Sequence, residues 1–338
     1  MTAEAPGTTP SQPTSATERA GAQAEVPSSA AGTGDDATLE SLVAAAHTAT
    51  EARLRELAPA ADLAPTRLHD AMRHSLLAPG KRVRPILTVL AHTVASPRRD
   101  ATRPTMTAVL TSACAIEMVH AASLILDDLP AMDNADLRRG LPTSHAMFGD
   151  DTAILAAIGL MNRAFDAVAQ DDALGAAQRT AVVAALAESI GSNGLIGGQE
   201  EDLHGLDPTL DEEAALARMH RRKTGALFGA ACRIGAITAN ASAERGDALH
   251  AFGMQIGHAF QTLDDVLDAA ASPTAAGKPT GADGGKTTLV SLHGIERART
   301  AAEEQRDAAR ACLDLPNDRL LSGYADALVT MLLKRHAG

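Results

Sequence analysis

Two groups of aspartates in this sequence have the side-chain chemistry and the spacing to bind divalent cations. The first group lies in SLILDDLPAMDNADLRRG, directly after an apolar run, and comprises Asp127, Asp128 and Asp133. The second group lies in HAFQTLDDVLD and comprises Asp264, Asp265 and Asp268. Carboxylates this close repel one another. Each group is therefore either a solvated helix surface or the ligand set of a cation.

The spacing within each group predicts where its carboxylates lie. Asp127 and Asp133 would be about 240° apart on an ideal helix, so they converge only if the helix is interrupted. We predict that Pro130 interrupts the helix between the two aspartates, because proline lacks a backbone N–H and clashes with the preceding turn. Asp264 and Asp268 are four residues apart and share one helix face. Magnesium usually binds through a few carboxylates plus substrate phosphates, so we expect two aspartate walls with a diphosphate between them.

Basic side chains that could bind the same anion occur in three further segments. They are APGKRVRP with Lys81, Arg82 and Arg84, HRRKTGAL with Lys223 and Thr224, and GKPTGADGGKTT with Lys278 and Lys286. Each segment alone is also typical of a solvated loop or helix surface. The third is glycine-rich but lacks the GxxxxGK[ST] spacing of a nucleotide-binding loop. Together with the aspartates, the three segments favour a phosphate-binding site.

The elements that must position these residues are predicted to be helices. From about residue 38 onward, apolar residues recur at intervals of three and four, with short Gly, Pro and Asp interruptions between the runs. We find no convincing alternation of apolar and polar residues, and therefore predict no strands. The fold class is all-α, with long helices expected over 66–77, 83–94, 105–128, 151–168, 177–196, 211–237, 243–269 and 296–334.

The first 36 residues differ in composition from the rest of the chain. They are rich in Ala, Thr, Ser, Pro and Gly and show no hydrophobic periodicity. Such a segment cannot bury enough apolar surface to offset the entropy lost on ordering. We predict a disordered tail over residues 1–36 and a single domain over residues 37–338.

Composition and charge argue against several classes of protein. The 338 residues carry a formal charge of −12, and no basic stripe is present to bind nucleic acid. Cys114, Cys232 and Cys312 share no metal-ligand or disulfide spacing, which predicts reduced thiols in a cytoplasmic protein. We find no apolar stretch that approaches the ~18 residues needed to cross a bilayer, and so expect no membrane span.

The motifs resemble those of the trans-isoprenyl diphosphate synthases, or polyprenyl synthetases. The resemblance rests on GKRVRP, on DDLPAMD followed by LRRGLPT, and on GGQEED, KT and FQTLDDVLD. The closest likeness, in LAPGKRVRP, HAASLILDDLPAMDNADLRRG and AILAAIGL, is to bacterial geranylgeranyl diphosphate synthases of carotenoid pathways. The resemblance implies long helices around a deep central cavity, and usually a homodimer.

The resemblance also implies a role for each of the residues singled out. Asp127, Asp128 and Asp133 on one wall, and Asp264, Asp265 and Asp268 on the other, would bind about three magnesium ions. Arg138 would contact the allylic diphosphate, while isopentenyl diphosphate would be bound by Lys81, Arg84, His120 and Arg139. The allylic side would be lined by Lys223, Thr224, Gln261 and Lys278, with Gln199 and Asp202 near the developing carbocation.

The implied activity is a magnesium-dependent condensation of isopentenyl diphosphate with dimethylallyl, geranyl or farnesyl diphosphate. Related enzymes that stop at farnesyl diphosphate carry a bulky aromatic just before the first aspartates. Ala122 and Ser123 are small, which predicts geranylgeranyl diphosphate as the product and farnesyl diphosphate as the alternative. A class I terpene cyclase shares the first motif, but DDVLD and GKRVRP fit two diphosphates better. A non-catalytic partner subunit is expected to have lost aspartates, and none is missing.

Overall fold

The computed structural model describes residues 38–96, 106–271, 287–315 and 318–334. Within these ranges the fold is all-α, as predicted, apart from one short hairpin. The helices are α1 (Leu39–Leu57), α2 (Thr66–Leu76), α3 (Val83–Ala95), α4 (Met106–Asp127), α5 (Ser144–Phe148), α6 (Asp150–Ala169), α7 (Ala176–Ile190), α8 (Leu195–His204), α9 (Glu212–His220), α10 (Ala226–Thr238), α11 (Ala243–Ala271), α12 (Leu289–His293), α13 (Ile295–Ala311) and α14 (Arg319–Lys334). The predicted disordered tail and Lys278 fall outside the described ranges, so both stay predictions.

Helix α4 runs through the middle of the bundle. It packs against α1, α3, α6 and α10, and Ile116, Met118 and Val119 are fully buried. Because it is surrounded by other helices, α4 carries apolar side chains on every face. Its carboxyl-terminal half also carries Glu117, His120 and Ser123, and it ends at the first aspartates.

The hydropathy of α4 corrects one of the sequence predictions. Val109–Asp127 has 19 residues and a mean hydropathy of 1.7, long and apolar enough to cross a membrane by length and composition. The same holds for Asp150–Ala169 and Ala176–His204. The prediction that no apolar stretch approaches this length was therefore wrong. A helix enclosed by protein and one enclosed by lipid have similar composition, and 78% of the Val109–Asp127 window is buried inside the fold.

Helices α10 and α11 lie unusually close together because glycines line their contact. A Cβ atom on Gly253 would lie 2.5 Å from the carbonyl oxygen of Phe228, and one on Gly257 would lie 2.7 Å from the Cα of Gly225. Larger side chains would force the two helices apart. This close packing brings the polar carboxyl end of α11 beside the end of α9 and the segment that precedes α10.

A short hairpin follows the first aspartate group and was not predicted. Strand β1 (Leu137–Arg138) pairs antiparallel with β2 (Leu141–Pro142). The two residues between the strands, Arg139 and Gly140, both have positive φ, of 54° and 78°, as in the tight turns that favour such hairpins. Two-residue strands are too short to produce an alternating sequence pattern.

Candidate active site

A cavity of about 1260 Å³ opens among the loop before α3, the end of α4, the hairpin, α8, the end of α9 with the segment that follows it, the end of α11 and the start of α12. Most of the side chains predicted for the site line it, namely Lys81, Arg84, His120, Ser123, Asp127, Asp133, Arg138, Arg139, Gln199, Asp202, Lys223, Thr224, Gln261, Asp264, Asp265 and Asp268. Ala122 and Asp128 do not line the cavity. Residues that are far apart in sequence are thus gathered around one space.

The first aspartate wall forms where α4 breaks. The helix ends at Asp127, and the backbone N–H of Asp133 donates to the carbonyl oxygen of Asp127 at 2.9 Å. The predicted interruption at Pro130 is confirmed, and Asp127 and Asp133 both face the cavity. Burial raises the pKa of Asp127 to about 6, against the opposing charge of Lys223, and the neighbouring Asp133 raises it further. Ionised, this wall holds concentrated negative charge that favours a cation.

The environment of Asp128 differs from that of Asp127. It is buried, and its Oδ1 accepts from Nε of Arg138 at 2.7 Å. The Nη2 atom of Arg138 also lies 2.7 Å from the same oxygen. The carboxylate of Asp128 therefore orients Arg138, whose own side chain reaches the cavity from β1.

The second wall is the carboxyl end of α11. Oδ1 of Asp265 accepts from Nε2 of Gln261 at 3.0 Å. Its Oδ2 is buried without a hydrogen-bond partner, although Nε2 of His220 lies 3.3 Å away. Burial raises the pKa of Asp265 to about 7, opposed by the bond from Gln261, and the nearby Asp264 and Asp268 raise it further. A buried carboxylate oxygen with no donor fits a metal ion or a metal-bound water.

Among the described residues, no three His, Cys, Asp or Glu side chains are close enough to hold a metal ion by themselves. Magnesium rarely uses an all-protein cage and commonly takes one or two carboxylates together with substrate phosphates. The two walls provide carboxylate oxygens of the hard type that this ion prefers. The donor set therefore fits magnesium held jointly with a diphosphate.

A π-helical segment, Arg221–Gly225, carries two of the predicted residues. The sequence predicted helix over 211–237, and the structure is helical from Glu212 to Thr238, with this wider turn between α9 and α10 as the unpredicted feature. Nζ of Lys223 lies 2.7 Å from Oδ2 of Asp202, and Oγ1 of Thr224 donates to Oε1 of Gln261 at 2.6 Å. Wide helical turns of this kind occur frequently at functional sites. Here the turn places both side chains on the cavity.

The opposite part of the cavity is cationic. Burial lowers the pKa of Arg84 to about 10, and its Nε is buried with no hydrogen-bond partner. The Arg84 guanidinium lies 4.5 Å from the ring centroid of Phe228, a cation–π contact. Burial, together with the charges of Arg84 and Arg139, lowers the pKa of His120 well below its ordinary value. The positive charges of the arginines gathered in this pocket are suited to an anion.

Comparison with known proteins decides between the families that this geometry allows. The polyprenyl synthetase family model matches residues 65–319. The chain belongs to the polyprenyl synthetase family. It is 46% identical over 224 residues to a geranylgeranyl diphosphate synthase of Pantoea ananas, covering 66% of this chain and 71% of that protein. The resemblance inferred from the motifs is therefore confirmed, and the chain is a prenyltransferase.

Solved structures agree with this assignment. An FPP/GFPP synthase from Zymomonas mobilis superposes with a TM-score of 0.74 at 33% identity, covering 86% of this chain and 98% of that one. A geranyltransferase from Legionella pneumophila gives a TM-score of 0.73 at 29% identity, covering 88% and 98%. The helices around a central cavity are thus the fold of this polyprenyl synthetase, as predicted.

Some residues that shape the site of this polyprenyl synthetase were missed in the sequence. A Cβ atom on Gly198 would lie 2.2 Å from the backbone nitrogen of Lys223, so α8 can lie against the π-helical segment only because residue 198 is glycine. Oε1 of Glu201 accepts from Arg218 at 2.7 Å and from Arg222 at 2.8 Å, which ties the same elements together. The adjacent glycines in GGQEED were the available signal for a close approach.

The two residues predicted to control chain length lie in different surroundings. Ser123 lines the cavity, whereas Ala122 is fully buried in the core. Met118 and Val119, one turn before this pair on α4, and Leu160 on α6 are also fully buried in the core. Ser123 is therefore the member of the pair that a substrate in the cavity would meet.

Proposed function

We propose that this polyprenyl synthetase condenses isopentenyl diphosphate with an allylic diphosphate and forms mainly geranylgeranyl diphosphate. The observation that carries the proposal is that two aspartate walls and a separate arginine pocket line the same cavity. A synthase binds two diphosphate substrates and needs a binding site for each, whereas a cyclase binds a single diphosphate substrate. The names of the relatives from Pantoea ananas and Pseudescherichia vulneris, both geranylgeranyl diphosphate synthases at 46% and 43% identity, support the product.

In this proposal each substrate has its own set of charged side chains. The allylic diphosphate lies between the aspartate walls, where Arg138 and Lys223 face its phosphates. Magnesium, held there by Asp127, Asp133, Asp264, Asp265 and Asp268, would neutralise the charge that grows on the leaving diphosphate. Isopentenyl diphosphate occupies the cationic pocket, and Lys81, Arg84, His120 and Arg139 are its proposed contacts.

The chemical steps then need little acid–base catalysis by the protein. The allylic carbon–oxygen bond breaks, and the electron pair leaves with the diphosphate while Lys223 and Arg138 stabilise its added charge. Gln261 and Thr224 line the allylic side, while Gln199 and Asp202 lie near the resulting allylic cation. The isopentenyl double bond attacks that cation to form the new carbon–carbon bond. The proton lost in restoring a double bond passes to the departing diphosphate.

The function is tested by product analysis. The enzyme is incubated with isopentenyl diphosphate, magnesium and, in separate reactions, dimethylallyl, geranyl or farnesyl diphosphate, and the products are examined before and after phosphatase treatment. A linear C20 alcohol that appears only after phosphatase supports the proposal. Hydrocarbons without phosphatase indicate a cyclase instead. No product with any allylic primer indicates a non-catalytic subunit.

Product length is expected to respond to Ser123 more than to Ala122. In Ser123→Phe, the ring projects into the cavity and blocks the growing chain, so the main product shifts towards farnesyl diphosphate. In Ala122→Phe, the ring overfills the core at a cost of about 1–3 kcal/mol, so thermal stability falls. Chromatography of dephosphorylated products measures the first effect. An unchanged product distribution in Ser123→Phe would exclude this side chain from the path of the chain.

Magnesium binding is expected to strengthen with pH. Asp127 and Asp265 have pKa values raised to about 6 and about 7, so the folded protein retains protons that the unfolded chain has lost. Metal-free stability therefore falls as pH rises from about 4 to 7, and the ionised walls become available to the metal. Thermal unfolding with and without magnesium pyrophosphate measures this, with a larger stabilisation at about pH 8 than at about pH 5.5. An equal stabilisation at both values would contradict the assigned ligands.

We also propose that the enzyme is a cytoplasmic homodimer. On α6, Ile154, Leu155 and Ile158 are 41%, 56% and 58% exposed and lie on one face, and exposed apolar patches of this kind mark protein interfaces. The cysteines Cys114 and Cys232 are free and buried, which supports a reducing compartment. Light scattering tests the assembly, and a monomeric mass for the wild-type protein would contradict it.

A further inference from the structure

The loop between α2 and α3 delivers Lys81 to the cavity, and side-chain donors hold the carbonyl oxygens of its backbone. Arg82 donates from Nη2 to the carbonyl oxygens of Leu76 at 3.2 Å and Ala78 at 2.8 Å. Nη1 of Arg139 donates to the carbonyl oxygen of Pro79 at 3.1 Å. Nε2 of His47 lies at hydrogen-bond distance, 3.1 Å, from the carbonyl oxygen of Gly80. Hydrogen bonds from side chains therefore hold the backbone of this loop at several successive carbonyl groups.

Arg82 is the centre of this arrangement. Its side chain is almost fully buried, with 3% of the residue exposed. Nε lies 2.7 Å from Oε1 of Glu51 on α1, and Nη1 lies 2.8 Å from Oε1 of Glu117 on α4. Its backbone has a φ of 48°, a conformation that a non-glycine residue keeps only when its surroundings enforce it. From the sequence, Arg82 was a candidate to bind the anion. In the structure its guanidinium instead binds protein groups, namely two glutamates and two backbone carbonyl oxygens.

The partners of Arg82 connect the elements of the cationic pocket. Glu117 lines the cavity three residues before His120 on α4. Arg82 itself lies between Lys81 and Arg84 in sequence. One guanidinium therefore joins α1, the end of α2, the start of α3 and α4, the elements around the proposed isopentenyl diphosphate contacts. The aspartate walls on the other side of the cavity take no part in these bonds.

We propose that Arg82, with Glu51 and Glu117, positions Lys81 and Arg84 to bind isopentenyl diphosphate and has no comparable effect on the allylic substrate. This proposal rests on the proposed function. Arg82 acts through its neighbours and is a positioning residue. The planar guanidinium provides donors in a fixed fork, which the single ammonium of lysine cannot reproduce.

The test compares Michaelis constants for the two substrates. In Arg82→Lys, which keeps the charge but loses the fork, the constant for isopentenyl diphosphate is expected to rise about tenfold, while that for farnesyl diphosphate and kcat stay within about twofold. In Glu51→Gln, which keeps Glu117 as a charged partner, the rise is expected to be about threefold and equally selective. The matched control is Arg55→Ala. Arg55 also pairs with Glu51, at 3.1 Å, but its side chain is 64% exposed, and all three constants should be unchanged.

The outcomes separate this proposal from the proposed function. If the wild-type enzyme forms no prenyl product, both fail. If it does, and Arg82→Lys raises both Michaelis constants equally or neither of them, only the positioning role fails. Circular dichroism reports whether Arg82→Lys is folded. If it is not, Glu51→Gln decides, and an unselective or absent effect in that variant overturns the proposal.

Discussion

Replacing Asp127 or Asp264 by alanine is expected to lower turnover by about a thousandfold, equivalent to about 4 kcal/mol of transition-state stabilisation. The two carboxylates lie on opposite walls of the cavity, and each substitution removes one side of the proposed metal-binding arrangement. Neither side chain belongs to the apolar core, so the helical fold should be retained. Steady-state assays with saturating magnesium, together with far-UV circular dichroism, measure both parts of this expectation.

The matched control for these substitutions is Asp247→Ala. Asp247 is also an aspartate on α11, but its side chain is 66% exposed and pairs with Arg233 outside the cavity. Its loss should leave turnover within about twofold, because exposed ion pairs contribute little. Activity within about threefold of wild type in either Asp127→Ala or Asp264→Ala would exclude the model of two metal-binding walls.

Gly198→Ala is expected to lower turnover about a hundredfold, although residue 198 provides no functional side chain. The added Cβ would lie 2.2 Å from the nitrogen and 2.6 Å from the Cα of Lys223, distances at which backbone must move. Separation of α8 from the π-helical segment would break the 2.7 Å contact of Lys223 with Asp202 and displace Gln199. Overpacking of this kind also costs about 1–3 kcal/mol of stability. Steady-state kinetics and thermal unfolding measure the two effects.

The matched control for this glycine is Gly246→Ala. Gly246 lies on α11, where the nearest atom to an added Cβ is 3.9 Å away, an ordinary contact. Since alanine favours a helix over glycine by about 1 kcal/mol, this variant should be slightly more stable and fully active. If Gly198→Ala retained turnover close to that of Gly246→Ala, the close approach of α8 would have no role in placing Lys223.

Much of the site was predictable because its chemistry is encoded in short segments. The break in α4 followed from Pro130, which removes a backbone donor wherever it occurs in a helix. The sharing of a face by Asp264 and Asp268 followed from their spacing of four. The motifs around them were specific enough to indicate the family that comparison then confirmed. In each case the relevant forces act within one or two helical turns.

Other features depend on contacts between helices, which the spacing of residues in the sequence does not reveal. The helix predicted over 211–237 is present as continuous helical backbone from Glu212 to Thr238. The spacing gave no sign of its π-helical segment, which lies against Gly198 of another helix. The apolar length of α4 could be read from the sequence alone, since Val109–Asp127 has a mean hydropathy of 1.7. What the sequence did not show is that other helices bury this stretch. Lys278 lies in the part of the chain that the structure does not describe, so its proposed role stays a prediction.

The sequence by itself determined which side chains could bind metal and phosphate, that they would be carried on helices, and the family to which they belong. Only the tertiary structure decided what each of them faces. It placed Ser123 on the cavity and Ala122 in the core, paired Asp128 with Arg138, and joined Arg82 to two glutamates. The physical reason is that helical periodicity assigns residues to faces, whereas the packing of helices distant in sequence decides what each face meets.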